Sequence, residues 1–202
     1  MNVEARNAIL DGLPEEAALL LVLERLKDEV RNNPLAHNPR KERVAEHSWF
    51  VALSVPLLAE FSSEPIDIPK AVLLATVHDL AEAYVGDTFA FGPEVVGQHA
   101  RERAAMDRLR ESSASPAVKR IVALWYEYED QATPEARFVK GMDAFLPILL
   151  NFANVKSSSW TEHGVHSDQV RQRLNRVRES IGSLADINDN MINQAQEDGY
   201  LA

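Results

Sequence analysis

Cysteine is absent from the 202 residues. That excludes disulfide staples, thiolate nucleophiles and thiolate metal sites together. Glycine and proline are sparse, with 8 and 10 copies, and long Ala- and Leu-rich runs stand in their place, so composition leans to helix. Cationic charge is also in short supply. The formal net charge is −10, which argues against binding a nucleic acid polymer through a broad basic surface but leaves room for a few cations inside a cleft. The longest apolar run, AALLLVL at 17–23, is too short to span a bilayer. The first twenty residues carry no cationic stretch ahead of an apolar one, as a secretory signal would. The expectation is a cytoplasmic protein with no membrane partner.

What is present is a series of helix-compatible segments. Pro14 and two acids open a helix over 14–31, and a second runs over 43–62 with Val44, His47, Val51, Val55 and Leu58 on one stripe. Between them, NNPLAHNPRKE at 32–42 reads as a loop because of its prolines and asparagines. Asp67 is placed to cap a third, very apolar helix over 69–84. An irregular, glycine-bearing stretch follows at 85–97, then helices at 98–112, 116–129 and 134–155, a loop at 157–167, and helices near 167–181 and 187–197. No stretch alternates with period two, and no internal repeat is visible. The predicted fold is all-α: a single domain over 1–202, built as a bundle of about seven or eight helices. Its core covers about 17–182, and a polar helical tail, 183–202, packs loosely or against a partner.

Chemistry enters where acids interrupt apolar helices. In AVLLATVHDLAEAYVGD, residues 71–87, the pair His78-Asp79 ends a run that has to be buried. Burying an unpaired aspartate costs several kcal/mol, so Asp79 needs a cation, a donor cluster or a metal. Glu82 lies one turn on, at i+4 from His78 and i+3 from Asp79, and Asp87 follows Gly86, where the helix should end. A second buried acid, Asp143, interrupts EARFVKGMDAFLPILLNF at 135–152, with Lys140 one turn before it. Together with His47 on a third helix, these residues describe a site at a bundle core. Two imidazoles and two carboxylates suit Mn²⁺, Co²⁺, Fe²⁺ or Zn²⁺. That leaves Glu82 and Asp87 as unligated acids beside the metal, suited to orienting a water and protonating a leaving alkoxide.

The order His47, His78-Asp79, Asp143 resembles the signature of the HD-domain metal-dependent phosphohydrolases. The blocks RVAEHSW, VHDLAEAYVGD, RERAAM and LWYEYEDQATPEARFVKGMD extend the resemblance, over roughly residues 17–180, to the 5′-deoxynucleotidase branch. The resemblance implies metal ligation by His47, His78, Asp79 and Asp143, with Glu82 and Asp87 as the catalytic carboxylates. It further implies hydrolysis of (deoxy)nucleoside 5′-monophosphates by a homodimer. One divalent transition metal serves each site, Mn or Co first, with Fe, Zn and Ni as alternatives. Lys140 matches a family lysine placed for phosphate, and Arg40 and Arg43, just before His47, are candidates for the same clamp. The rival readings are a nucleoside triphosphate or modified-nucleotide hydrolase, and a non-catalytic metal- or nucleotide-binding module.

The chain also departs from this pattern. The stretch VRNNPLAHNPR lacks the Arg-Trp-Pro-like element of related bacterial enzymes, and TFAFGPEVVG after Asp87 lacks an aliphatic residue followed by proline and carries no cation. Base and sugar preference therefore do not carry over. Trp125, Tyr126 and Tyr128 read as packing residues at helical spacing. Trp160, His163 and His166 read as an exposed loop or a subunit contact. His99 reads as a surface histidine, because no second histidine in the helical core stands ready to share a further metal with it.

Overall fold

The computed structural model describes residues 3–202. Helices α1 (Val3–Asp11) and α2 (Glu15–Leu23) lead into an antiparallel hairpin of β1 (Val30–Leu35) and β2 (Asn38–Arg43). Then come α3 (Val44–Leu58), α4 (Ile68–Val77), α5 (Glu82–Val85), α6 (Gln98–Ser112), α7 (Pro116–Glu129), α8 (Pro134–Ala153), α9 (Ser159–His163), α10 (Ser167–Asn175) and α11 (Leu184–Glu197). The fold is helical, as the composition predicts. Three short pieces exceed the expected number: α1, α9, and α5 at the end of the predicted third helix.

The hairpin corrects the loop expected over 32–42. Pro34 and Pro39 would break a central strand, but a two-stranded ribbon has only edges, where a missing N–H is tolerated. Its register is irregular, pairing Val30 with Arg43, Pro34 with Lys41 and Leu35 with Asn38.

The central helix is α8, which is apolar almost all round. Phe138, Val139, Met142, Phe145 and Leu146 are buried against Val51 and Val55 of α3, Leu74 and Ala75 of α4, and Leu174 of α10. A helix buried on every side is one against which others pack. Its start is fixed by Thr133, whose Oγ1 accepts from Ala136 N at 3.3 Å, while Asp67 Oδ1 accepts from Lys70 N at 3.1 Å to cap α4. A second cluster joins Leu26, Val44, Val77, Met106, Val122 and Trp125. The tail is corrected too: α11 buries Leu184, Ile192 and Ala195 in the main core, and Ala202 bonds through its backbone to Val165 and Ser167. Its polar residues occupy only the outward stripe of an amphipathic helix.

The predicted helix over 69–84 is interrupted at Val77. From Leu80 to Tyr84 the backbone bonds are of the i to i+3 kind (Leu80 N to Val77 O 3.2 Å, Glu82 N to Asp79 O 3.0 Å), a tighter winding than the α-helix. The His-Asp pair thus sits on a constricted turn. Gly86 then takes φ 77°, a conformation that favours glycine, and the chain folds back so that Asp87 N donates to Glu29 Oε1 at 3.0 Å. No single helix among the described residues is long and apolar enough to cross a membrane.

Candidate metal centre and its cavity

Three elements bring four residues to one point. His47 comes from the first turns of α3, His78 and Asp79 from the turn after α4, and Asp143 from the middle of α8. His47 Nε2 lies 3.1 Å from Asp143 Oδ1 and 3.9 Å from Asp79 Oδ2, and His78 Nε2 lies 3.1 Å from Asp79 Oδ2 and 3.9 Å from Asp143 Oδ1. Both imidazoles are fully buried. His47, His78 and Asp79 each offer a ligand atom within 4.8 Å of the others.

The tautomer of His78 tests whether this set fits a cation. Its Nδ1 is 2.8 Å from the carbonyl oxygen of Ala75, which can only accept, so Nδ1 carries the proton. Nε2 then presents a lone pair, has no hydrogen-bond partner, and faces a carboxylate oxygen that is also an acceptor. Two buried acceptors aimed at each other repel unless a cation stands between them. The donor chemistry, two imidazoles and two carboxylates, fits a divalent ion, with a carbonyl behind one histidine to fix its orientation.

The electrostatics separate the acids into two kinds. Burial opposes the charge on Asp79, but positive charge on His78, Arg31 and His47, present on the imidazoles when they are protonated rather than bound to a metal, outweighs it and holds the carboxyl down at about 2. Asp143 is likewise held well below the usual range, because His47, Arg173 and Lys140 overcome its burial. Glu82 goes the other way: burial, then the charge of Asp79, push it well above the ordinary glutamate value. Asp87 is raised for the same two reasons. Neighbouring carboxyl groups are thus pushed in opposite directions, Asp79 and Asp143 toward the ionised form and Glu82 and Asp87 toward the protonated one.

Arg31 is the residue that sequence reasoning missed. It is 9% exposed, and its guanidinium reaches Glu42 Oε1 at 3.1 Å, Asp79 Oδ2 at 3.3 Å and Asp87 Oδ1 at 3.3 Å. Glu42, 2% exposed, was missed with it, and its Oε1 also lies 3.4 Å from His47 Nδ1. Both sit on the hairpin, and only recognition of strand alternation could have turned them inward. The structure does not bring Arg40 or Arg43 to this point. Arg40 forms a surface pair with Glu46 at 2.9 Å, and Arg43 donates to the carbonyl of Asp28 at 2.7 Å.

Lys140 does reach the centre. Its Nζ donates to Tyr128 Oη at 3.0 Å and lies 3.9 Å from Asp143 Oδ2. Tyr128 Oη in turn donates to Asp143 Oδ2 at 3.2 Å, so this tyrosine orients an acid as well as packing. Arg173 stands 3.6 Å from the same oxygen. Beside these groups opens a cavity of about 390 Å³, lined by charged groups, among them Arg31, Glu82, Asp87, Lys140 and Arg173, and by apolar ones, among them Phe89, Phe91, Pro147 and Ile148. That volume suits a small molecule. Trp160 also lines it and is 1% exposed, correcting its expected place in an exposed loop, whereas His163 and His166 are exposed, the His163 ring lying tilted against Phe89 with centroids 4.5 Å apart.

Fold and site together define a helical protein with a buried His/Asp metal cluster. A family model described as HD domain matches residues 23–184, and the chain belongs to that family. It is 32% identical to a protein of solved structure from Magnetospirillum magnetotacticum, described as a predicted metal-dependent phosphohydrolase, with a TM-score of 0.83 over 93% of this chain and 94% of that one. Against human 5′-deoxynucleotidase HDDC2 it is 33% identical over 105 residues, 52% of this chain and 50% of that protein. Against the 5′-deoxynucleotidase hdd1 of Schizosaccharomyces pombe it is 33% identical over 129 residues, 61% and 64% of the two chains. The match thus spans about half the length of the human relative.

Proposed function

We propose that the protein is a metal-dependent phosphohydrolase that removes phosphate from (deoxy)nucleoside 5′-monophosphates. The observation that carries the reading is the facing of His78 Nε2 and Asp79 Oδ2, two acceptors 3.1 Å apart, beside carboxyl groups pushed up rather than down. His47, His78, Asp79 and Asp143 hold the metal, Mn²⁺ or Co²⁺ in preference to Fe²⁺, Zn²⁺ or Ni²⁺. Bound there, a divalent ion polarises a phosphoryl oxygen and lowers the pKa of water.

The chain's own groups do the rest. Lys140, Arg173 and Arg31 bring positive charge to the end of the cavity where a phosphate docks. Asp87 orients the attacking water and takes up its proton. As the water oxygen bonds to phosphorus, the bond from phosphorus to the 5′ oxygen breaks, and Glu82, whose carboxyl burial and Asp79 push upward, gives its proton to that oxygen. The apolar wall of Phe89 and Phe91 receives the remainder of the nucleotide. Residues 1–202 act as one domain in the cytoplasm. The chain pairs as a homodimer, a reading supported by Trp49, Leu53 and Leu57, exposed at intervals of four along α3; a monomeric mass in sedimentation would overturn the pairing.

Phosphate release from a panel of nucleoside mono- and triphosphates, after chelation and reloading with Mn²⁺ or Co²⁺, tests the activity. Release from monophosphates is expected, with a strongly impaired Glu82→Gln variant. Activity confined to triphosphates, or absent with every metal, overturns the reading.

A further inference from the structure

His47 and His78 each turn one ring nitrogen toward the centre, but their outer nitrogens meet different partners. The outer nitrogen of His78 lies 2.8 Å from the carbonyl oxygen of Ala75, a neutral acceptor one turn back. That of His47, Nδ1, is buried and has no hydrogen-bond partner of ordinary geometry. What faces it is a carboxylate oxygen, Glu42 Oε1, at 3.4 Å. The gap is about 0.4 Å longer than a usual N–H···O separation, and a small turn of either side chain closes it.

Glu42 has no part in the hydrolytic reading, yet it is buried as deeply as the ligands. Its Oε1, the same oxygen that faces His47, accepts from Arg31 Nε at 3.1 Å. A buried carboxylate is costly unless its partners are fixed, and this oxygen stands between two groups that can supply them. Strand geometry puts it there. Glu42 is the last residue but one of β2, and its side chain turns inward onto the start of α3, which carries His47. Lys41 and Arg43, on either side of it, bond instead to Glu162 and to the carbonyl of Asp28.

Two acids compete for the proton of His47. With the proton on Nε2, the ring donates to Asp143 Oδ1 at 3.1 Å, and Nδ1 then aims a lone pair at Glu42 Oε1, acceptor against acceptor. With the proton on Nδ1, the ring donates to Glu42 and presents the Nε2 lone pair to the centre. Only the second arrangement lets Nε2 act as a ligand. We propose that Glu42 is the positioning residue of His47: it accepts from Nδ1–H, fixes the tautomer and aims Nε2 at the metal. A carboxylate polarises an imidazole more than a carbonyl does, so His47 is the stronger donor of the two histidines. Arg31 completes the arrangement, since it bonds to Glu42 through Nε and to Asp79 and Asp87 through Nη1. One guanidinium thereby ties the support of His47 to a ligand and to the water-orienting acid. The inference rests on the metal centre of the proposed function and on no particular substrate.

Two measurements on the full chain test it. In the protein loaded with diamagnetic Zn²⁺, long-range ¹H–¹⁵N spectra of the imidazoles are expected to show His47 protonated at Nδ1. That proton should be shifted downfield by its carboxylate acceptor, and the shift should be lost in Glu42→Gln. Affinity for Mn²⁺, read from the free-ion electron paramagnetic resonance signal of chelator-stripped protein, should fall about 10–100-fold in Glu42→Gln. An Nδ1–H resonance in wild type at the position of an imidazole without an acceptor overturns the positioning role, whether or not Glu42→Gln folds. So does an unshifted Nδ1–H in Glu42→Gln, with or without a loss of affinity, and so does an unchanged Mn²⁺ affinity. Each of these leaves the metal centre standing. Failure of wild type to bind either ion overturns both.

Discussion

Replacing Arg31 by methionine separates an electrostatic role for this residue from a packing one. The guanidinium is the one cation bonded to Asp79, Asp87 and Glu42 together, at 3.3, 3.3 and 3.1 Å. Methionine keeps most of the side-chain volume and removes the charge. Its loss leaves three carboxyl groups facing one another with side-chain exposures of 13%, 8% and 2%. Breaking a buried ion network by removing one partner costs about 3–5 kcal/mol. Protonation of Asp87, already raised by burial and Asp79, relieves part of that, so a value of about 3 kcal/mol is expected. For a chain of this size that is a fall in Tm of about 6–12 °C.

Divalent metal should reverse the order. Arg31 repels any cation that Asp79 helps to hold, and at an effective dielectric constant of about 20 the repulsion of charges a few ångströms apart is worth a few kcal/mol. Removing it should tighten Mn²⁺ binding by about tenfold or more, so Mn²⁺ raises the Tm of Arg31→Met by more than it raises that of wild type. Thermal melts at pH 7 in chelator and in saturating Mn²⁺, with an Mn²⁺ titration, read both quantities. Equal Mn²⁺-induced shifts in the two proteins would mean that Arg31 only packs. An undiminished Tm in chelator, or weaker Mn²⁺ binding by the variant, would refute the electrostatic account.

Other positions give shorter tests. A Cβ at Gly141 would lie 2.0 Å from Ile181 Cγ2 and 3.0 Å from Ser180 Oγ, so Gly141→Ala should cost about 1–3 kcal/mol; in urea melts Ile181→Ala should cost less in that background than in wild type. Glu135 accepts from Asp67 N at 2.9 Å and Lys70 Nζ at 3.1 Å. Against its burial, these bonds hold its carboxyl at about 2. A depressed value adds stability above the ordinary glutamate range that is lost as pH falls toward 2, so Glu135→Gln should be about 1–2 kcal/mol less stable at neutral pH, after allowance for solvent screening. The gap should close between pH 4.5 and 2, and a gap independent of pH would contradict the assignment. Glu82, raised by burial and by Asp79, serves as an acid only while protonated. Phosphate release should therefore decline as pH rises through its value, and Glu82→Gln should cost about 10²–10⁴-fold.

What could be read from the sequence divides along a physical line. His78, Asp79 and Asp143 were legible because each interrupts an apolar helix, and a helix that must be buried announces an acid it cannot tolerate unpaired. Arg31 and Glu42 carry no such mark. Their neighbours are polar, and the partner Asp79 lies 48 residues from Arg31 along the chain, so only the folded hairpin reveals why either is buried. Reading 32–42 as a loop also misdirected the choice of arginines. In a loop any of Arg40, Arg43 and their neighbours is free to turn inward, whereas in a strand adjacent side chains point to opposite faces. Once Glu42 on β2 faces His47, Arg43 beside it faces away, to the carbonyl of Asp28. The same constraint explains the excess of acid in the cavity. The hairpin contributes a single buried arginine to the centre, and among the described residues no lysine or arginine forms an ion pair with Glu102 of α6 or Glu129 of α7, so the phosphate of the proposed substrate would draw on a bound metal as well as on Arg31, Lys140 and Arg173.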